Sequence, residues 1–425
     1  MTEQMKSSGI DWIGDIPESW SIKRIKYCTD MIMGQSPDSN LIKEDNGIYP
    51  FMQGNAEFTN LYPKPSLYCD FPNKVSRVGD ILMSVRAPVG ELNISDREYG
   101  IGRGLCSIRP AYFNTKYFWY FMLKSKGDFS VFSNGSTFEA ITTENLLNFP
   151  CVVPGIQEQQ AIADFLDKEC AQIDSIATDL EKQIALLQQY KKALITETVS
   201  KGLDKSVPVK DSGIEWIGKI PAHWDVEPIK YRVTFHNGDR GENYPTKSEL
   251  QSEGIPFINA GHLEGDGLNM DNMDYISEEK YRIMGGVKLR SGDILYCLRG
   301  SVGKNAIVDM NQGTVASSLV AIRSVRISAE YLYYCLNSHI EEVQRYWWDN
   351  GTAQPNLSAD NLGKYKICIP PVEEQKAIVK YLNNICSQID NLIIGKKKQL
   401  STIQQHKKSL IYEYVTGKKR VKEAQ

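Results

Sequence analysis

Long apolar runs are missing from this chain. No stretch approaches the roughly 18 residues a membrane span needs, and the polar start MTEQMKSSG lacks the apolar core of a signal peptide. A cytoplasmic protein without a membrane partner is expected. Paired cysteines are missing too: nine are scattered with no C-x-x-C, and the five histidines stand apart from one another. That pattern argues against a zinc site and suits free thiols in a reducing compartment. Nor is there a basic excess, since 49 Lys and Arg face 52 Asp and Glu, for a net charge of −3. A chain that grips nucleic acid unaided is usually basic. DNA contact here therefore requires a local basic surface or phosphate contacts supplied by partners.

Recognisable catalytic constellations are also lacking. GIGRG (Gly100–Gly104) is not a complete G-x-G-x-x-G, and GSVGK (Gly300–Lys304) has neither the spacing of a phosphate loop nor its Ser or Thr after the lysine. There is no Asn/Asp-Pro-Pro-aromatic tetrad of an amino-methyltransferase, no helicase loop and no convincing nuclease motif. His223, His236, His262, His339 and His406 have no evident triad or metal partner. The reading is a chain that recognises something and has no catalytic or metal residues of its own.

What is present is a repeat. SGIDWIGDIPESW (Ser8–Trp20) returns as SGIEWIGKIPAHW (Ser212–Trp224), identical at nine of thirteen positions. RVGDILMSVRAPVG (Arg77–Gly90) returns as RSGDILYCLRGSVG (Arg290–Gly303), and NGSTFEAITTENL (Asn134–Leu146) as NGTAQPNLSADNL (Asn350–Leu362). PGIQEQQAIADFLDKECAQIDSI (Pro154–Ile176) returns as PPVEEQKAIVKYLNNICSQIDNL (Pro370–Leu392). Four matches in one order with slowly growing offset indicate an internal duplication.

Each copy has two unlike parts. The first is rich in Gly, Pro and aromatics, and short β-type runs such as DILMSV, CSIRP, DILYCL and LVAIRS suggest a mixed α/β globule. Helical patterns near Lys116–Lys126 and Glu330–Trp347 carry Trp119, Trp347 and Trp348, read as core or docking residues. The second part is a long helix. Glu158, Glu373 and Glu374 fall in first turns, while Gly202 and Gly417 stand where helices stop. A seven-residue beat marks a coiled-coil seam through Leu166, Ile173, Leu180, Leu187 and Leu194, with Cys170, Ala177 and Ile184 beside it. In the second copy Leu382, Ile389, Ile403 and Leu410 answer the first row, and Cys386, Ile393, Leu400 and Tyr414 the second. Lys191 and Lys407 interrupt the seam at one height, Lys396 on one side only. Lys191, Lys192, Lys407 and Lys408 are expected to face water first, DNA phosphates or partners second.

The expected fold class is α+β: two globules joined by two long helices packed as an antiparallel coiled coil, with an internal pseudo-twofold repeat. The expected divisions are 1–154, 155–203, 204–370 and 371–425. Each helix of about 45 residues would span roughly 65 Å and act as a ruler between two heads.

Two variable globules, each followed by a helix opening with P-x-x-x-E-Q, resemble the specificity subunits of type I restriction–modification systems. The carriers are SGIEWIGKIPAHW, RSGDILYCLRGSVGK, NGTAQPNLS and IPPVEEQKAI with their first-half equivalents; STFEAIT (Ser136–Thr142) departs from the usual TAQPNLS. The resemblance implies target recognition domains on double-stranded DNA, two methyltransferase subunits and restriction/translocase subunits as partners. It assigns S-adenosylmethionine, ATP and Mg to those partners and no cofactor to this chain. An asymmetric bipartite DNA site, one half per head, is the expected target. The alternative is a bivalent protein-interaction scaffold that does not bind DNA. Features common to both heads cannot distinguish two targets, so Arg86 and Arg299 read as framework or phosphate contacts. Base-reading candidates lie where the copies diverge: Gln53, Asn55 and Arg103 in the first head, and Arg240, Asn259, His262 and Lys304 in the second.

Overall fold

Sequence repetition becomes backbone repetition in the computed structural model, which describes residues 4–129, 141–265, 267–348 and 356–421. The chain divides into two units, Met1–Glu181 with Lys398–Gln425, and Lys182–Lys397. The division runs through both long helices, so each unit holds a head, the start of one long helix and the end of the other.

In the first unit the repeated phrase supplies β1 (Met5–Ser7) and β2 (Asp15–Pro17), followed by β3 (Ser21–Arg24) and β4 (Thr29–Met33). Next come β5 (Ile42–Lys43), β6 (Tyr49–Met52), β7 (Leu67–Cys69), β8 (Ile81–Ser84) and β9 (Leu92–Ile94). Then β10 (Gly100–Ile101), β11 (Leu105–Pro110), α1 (Thr115–Ser125), α2 (Thr143–Leu147) and β12 (Pro150–Val153) lead into α3 (Ile156–Lys201). One sheet has the order β4-β11-β8-β9 and is antiparallel; another, β10-β6-β7-β5, contains the parallel pair β6/β10.

The run ILMS is buried along its whole length because β8 lies between two cores. Ile81 and Met83 point into the main core while Leu82 points into a second, smaller cluster, as the two-residue strand period requires. Helix α1 is apolar around most of its circumference and is likewise buried from Tyr117 to Met122, Trp119 included.

The second unit repeats the plan. Its strands are β13 (Val209–Asp211), β14 (Lys219–Pro221), β15 (Asp225–Pro228), β16 (Val233–Asn237) and β17 (Ile255–Ile258). A hairpin of β18 (Leu263–Glu264) and β19 (Gly267–Leu268) precedes β20 (Asp274–Ile276) and α4 (Glu278–Ile283). Then follow β21 (Ile294–Cys297), β22 (Asn305–Ile307), β23 (Thr314–Val315) and β24 (Leu319–Ser324). Helices α5 (Ala329–Leu336), α6 (His339–Trp348) and α7 (Ala359–Gly363), strand β25 (Lys366–Ile369) and α8 (Val372–Val415) follow. Order β16-β24-β21-β22 matches β4-β11-β8-β9, and β20-β17-β23 matches β7-β6-β10, again with a parallel pair.

Two details differ from expectation. The helical pattern at Glu330–Trp347 is broken between α5 and α6, where Asn337 leaves helical geometry and its amide bonds Asn305 Oδ1 at 2.8 Å. Trp347 is 70% exposed, near Trp216, which excludes the core half of the core-or-docking expectation. The substituted segment STFEAIT falls mostly outside the described residues, as does the start of NGTAQPNLS.

Within the first unit, the start of α3 and the end of α8 run antiparallel: the Phe165 and Tyr414 rings meet at a tilt of 35° with centroids 4.4 Å apart, and Asp174 meets Lys407. Leu166, Ile173, Cys170, Leu180 and Leu410 are buried, while Ala177, Ile403, Leu400 and Tyr414 are half-buried. Within the second unit the end of α3 faces the start of α8 in the same way, since Lys191 meets Asp390. Leu382, Cys386, Ile389 and Ile393 are buried; Ile184, Leu187 and Leu194 are half-buried, and Ile195 takes the deeper place.

Candidate functional site

Each head needs a rigid mount on the long helices. The repeated phrase provides it. Trp20, fully buried, donates from Nε1 to Glu158 Oε2 at 2.7 Å, and Trp224 donates to Glu374 Oε2 at 2.9 Å. The Glu of each P-x-x-x-E-Q is therefore the acceptor for the head's tryptophan. The following Gln anchors a different element. Gln159 Oε1 accepts from Asn114 N, and Gln375 Oε1 from Ser328 N, the cap residues of α1 and α5. Their amide nitrogens donate to the carbonyls of Pro154 and Pro370. Buried Tyr117 donates to Val152 O and Val415 O, and buried Tyr331 to Cys368 O and Val199 O. Each head is thus tied to the start of one long helix and the end of the other within its own unit.

The GDIL segments carry a second shared device. Asp80 is buried and takes Arg109 Nε and Nη2 on its two oxygens at 2.9 Å each; Asp293 takes Arg323 at 2.8 and 2.7 Å. Both carboxylates also accept the amide three residues earlier, from Arg77 and Arg290. The adjoining carboxylates raise the already high pKa of Arg109 and Arg323. A bidentate, charge-assisted pair of this kind fixes geometry as well as charge.

The divergent candidates gather at one end of the parallel strand pair. In the first head Gln53 follows β6 and Arg103 lies between β10 and β11. Gln53 Nε2 donates to Ser36 Oγ at 2.7 Å, and Arg103 N approaches the same oxygen at 3.4 Å. Asn55 sits two residues on, half-buried, its carbonyl accepting from Phe58 N. In the second head Asn259 follows β17 and is fully engaged: its Oδ1 caps Gly261 N, its Nδ2 donates to Asp274 Oδ2 at 3.0 Å, and its N–H meets His262 Nδ1. His262 is buried, so it shapes this loop from inside. Exposed Lys304 donates to Ala260 O at 3.4 Å, and exposed Arg240 to Ser317 O at 3.3 Å. Arg86 and Arg299 are exposed two residues beyond β8 and β21, each following a residue whose amide bonds the loop just before β11 or β24, Val85 N to Gly104 O and Leu298 N to Ser318 O.

The helix lysines correct the sequence reading. Lys191 and Lys407 do not turn chiefly to water. Lys191 Nζ binds both oxygens of Asp390 at 2.7 and 2.6 Å, and Lys407 Nζ binds both of Asp174 at 2.6 and 2.7 Å. Lys192 pairs with Glu342, whereas Lys408 is exposed. Sequence reasoning passed over Asp174, Asp390, Arg109, Arg323 and the Trp–Glu bonds. Their signal was recurrence, since all of them occur in both copies.

Among the described residues no cluster of three His, Cys, Asp or Glu side chains could hold a metal ion, and no helix is long and apolar enough to cross a membrane. A family model described as type I restriction modification DNA specificity domain matches residues 17–186 and again 234–402. The MjaVIII type I restriction enzyme specificity subunit of Methanocaldococcus jannaschii is 24% identical over 96% of this chain and 94% of its own length. A provisionally named MjaX specificity subunit from the same organism is 37% identical over 188 residues, with 43% of each chain aligned. A solved structure from work on complex assembly and conformational transition of the type I R-M system has a TM-score of 0.67 at 18% identity, covering 94% of this chain and 98% of that one. That last likeness concerns the fold.

Proposed function

The chain belongs to the family of type I restriction–modification DNA specificity domains, and on that premise we propose that its two heads read an asymmetric two-part DNA site, one half per head. As a specificity subunit it recognises and does not react. One observation carries the reading: a common mount and a common buried Asp–Arg pair support loops that differ at equivalent places. A shared framework with divergent polar tips suits two readers of different sequences, since direct readout depends on the side chains offered to base edges.

Covalent linkage of the heads makes the second engagement intramolecular, so both halves are demanded together. Two methyltransferase subunits dock on equivalent surfaces of the two copies, and restriction/translocase subunits join them. S-adenosylmethionine, ATP and Mg are assigned to those partners. The unread spacer between halves follows the length of the two long helices.

The test is selection from a random DNA library by the full chain with its cognate methyltransferase, followed by sequencing of bound fragments. Two different conserved blocks separated by a fixed unread gap are expected. One contiguous block, or no enrichment at all, would refute the reading; no enrichment would leave the protein scaffold as the better account.

A further inference from the structure

Strand pairing defines which residues of the two heads are equivalent, and it exposes an exchange. Met33 stands opposite Cys106 on β4 and β11, and Asn237 stands opposite Val320 on β16 and β24. Ser36, three residues past Met33, therefore corresponds to Arg240, three past Asn237. Arg103, three before Cys106, corresponds to Ser317, three before Val320. Likewise Phe51 faces Gly100 and Phe257 faces Thr314, so Gln53 corresponds to Asn259. At one pair of neighbouring loops, the first head has serine then arginine, and the second has arginine then serine.

The same close backbone approach joins the loops in both heads. A Cβ on Gly34 would collide with the Gly102 carbonyl, and one on Gly238 with the carbonyls of Val315 and Ala316. Gly102 N donates to Met52 O, and Ala316 N to Ile258 O, each at 2.7 Å. Only glycine permits so close a backbone approach, and both heads have it at the same point. The serine of each couple lies beside the other loop: Ser36 Oγ takes Arg103 N, and Ser317 O takes Arg240 Nη2. Gln53 spends its amide on the junction by donating to Ser36, whereas Asn259 donates to Asp274 on β20. Both arginines are exposed, and the Arg240 guanidinium reaches Ser317 O at 3.3 Å.

We infer that this junction is the base-reading point of each head, with the guanidinium delivered from opposite loops: Arg103 in the first head and Arg240 in the second. The inference rests on the DNA-reading role proposed above. A planar fork of donors suits guanine O6 and N7 in the major groove, so each half-site should contain a guanine read at this place. Exchange of the arginine between loops would alter its approach to the groove while leaving the junction intact, and this provides one route to two targets on one framework.

The experiment repeats the library selection at one fixed salt concentration with R103A, R103K, R240A and R240K chains. Each Arg103 variant should lose discrimination at a single guanine of one half-site by roughly 5- to 150-fold, with the other half unchanged. The Arg240 variants should do the same in the other half. Lysine retains charge but not the bidentate fork, so R103K separates reading from phosphate attraction, and matching thermal melts confirm folding. Base preferences retained at every position by both the alanine and lysine variants would overturn the inference, even with uniformly weaker binding. A wild-type chain that selects no two-part site would instead sink the broader reading.

Discussion

In the first head Asp80 is held by Arg109, by the Arg77 amide and by the Ser107 hydroxyl at 2.6 Å; in the second, Asp293 has Arg323 and the Arg290 amide, and Ala321 occupies the place of Ser107. The ion pair is constant and its support is not. The same division runs through the whole molecule. Contacts that mount a head on its helices, such as Trp20–Glu158 and Trp224–Glu374, recur almost atom for atom. Side chains at the loop junction change kind and even change loop. Duplication therefore left two layers: a mount under one steric constraint in both copies, and a tip on which each copy was able to diverge.

Removing the buried carboxylate should produce the largest difference between the heads. Asp80→Ala leaves the Arg109 charge, a buried Ser107 hydroxyl and the Arg77 amide without their acceptor, a cost of about 3–4 kcal/mol, toward the lower end for a broken buried pair because Arg109 keeps a quarter of its surface exposed. Asp293→Ala orphans one donor fewer and should cost less by about 1 kcal/mol, the worth of one ordinary hydrogen bond. Amide hydrogen exchange, read head by head, measures both. Equal losses would mean that Ser107 adds nothing. Loss of protection in the unsubstituted head as well would mean that the two units are not energetically separate.

How much of this was readable beforehand depended on sequence separation. The repeat, the β8 and β21 runs and the helix seams are local patterns with periods of two and seven, and they were legible in residues such as Ile81, Ile294, Leu166 and Leu382. The partner of Trp20 was not, because Glu158 lies 138 positions away and a glutamate in a first turn already has a sufficient reason in the helix dipole. Asp174 and Asp390 were passed over in the same manner, as ordinary solvated helix carboxylates. The junction residues were chosen by divergence alone. That Arg103 corresponds to Ser317, and Arg240 to Ser36, could not be seen, since loops of unequal length shift the offset between copies and the strand register alone restores it.

The helix ends offer a sharper, smaller contrast. Gly202 and Gly417 both adopt positive φ, +68° and +72°, and both lie against the tryptophan of the repeated phrase within their own unit. A side chain on Gly202 would meet the Trp224 ring at 3.0 Å, whereas one on Gly417 would run into the rigid Pro17 ring as well as Trp20. Gly202→Ala should therefore cost about 1 kcal/mol, the ordinary penalty of left-handed backbone, and Gly417→Ala about 2 kcal/mol because a proline ring has little freedom to move aside. Thermal melts followed by tryptophan fluorescence would report both. Equal losses would place the main constraint in the backbone angle, which the two glycines share, and not in the packing.

The smallest expected effect concerns the helix ion pairs, where geometry can be separated from charge count. Lys191–Asp390 has side-chain exposures of 26% and 36%, against 29% and 59% for Lys407–Asp174. Solvent screens both, so double-mutant cycles should give couplings of roughly 0.2–1 kcal/mol, the first pair being the stronger, and both should fade in high salt. The informative variants are two exchanges of equal net charge. K191D with D390K restores an opposite pair inside the second unit and should melt close to the parent. K191D with D174K leaves Asp beside Asp390 and Lys beside Lys407, two repulsions in place of two attractions, and should melt below either single variant. If the two exchanges melted alike, these contacts would contribute only diffuse surface charge. If the matched exchange alone recovered, the interrupted seam would be a register device, with each lysine stabilising the antiparallel alignment by meeting the aspartate that the other copy of the repeat provides.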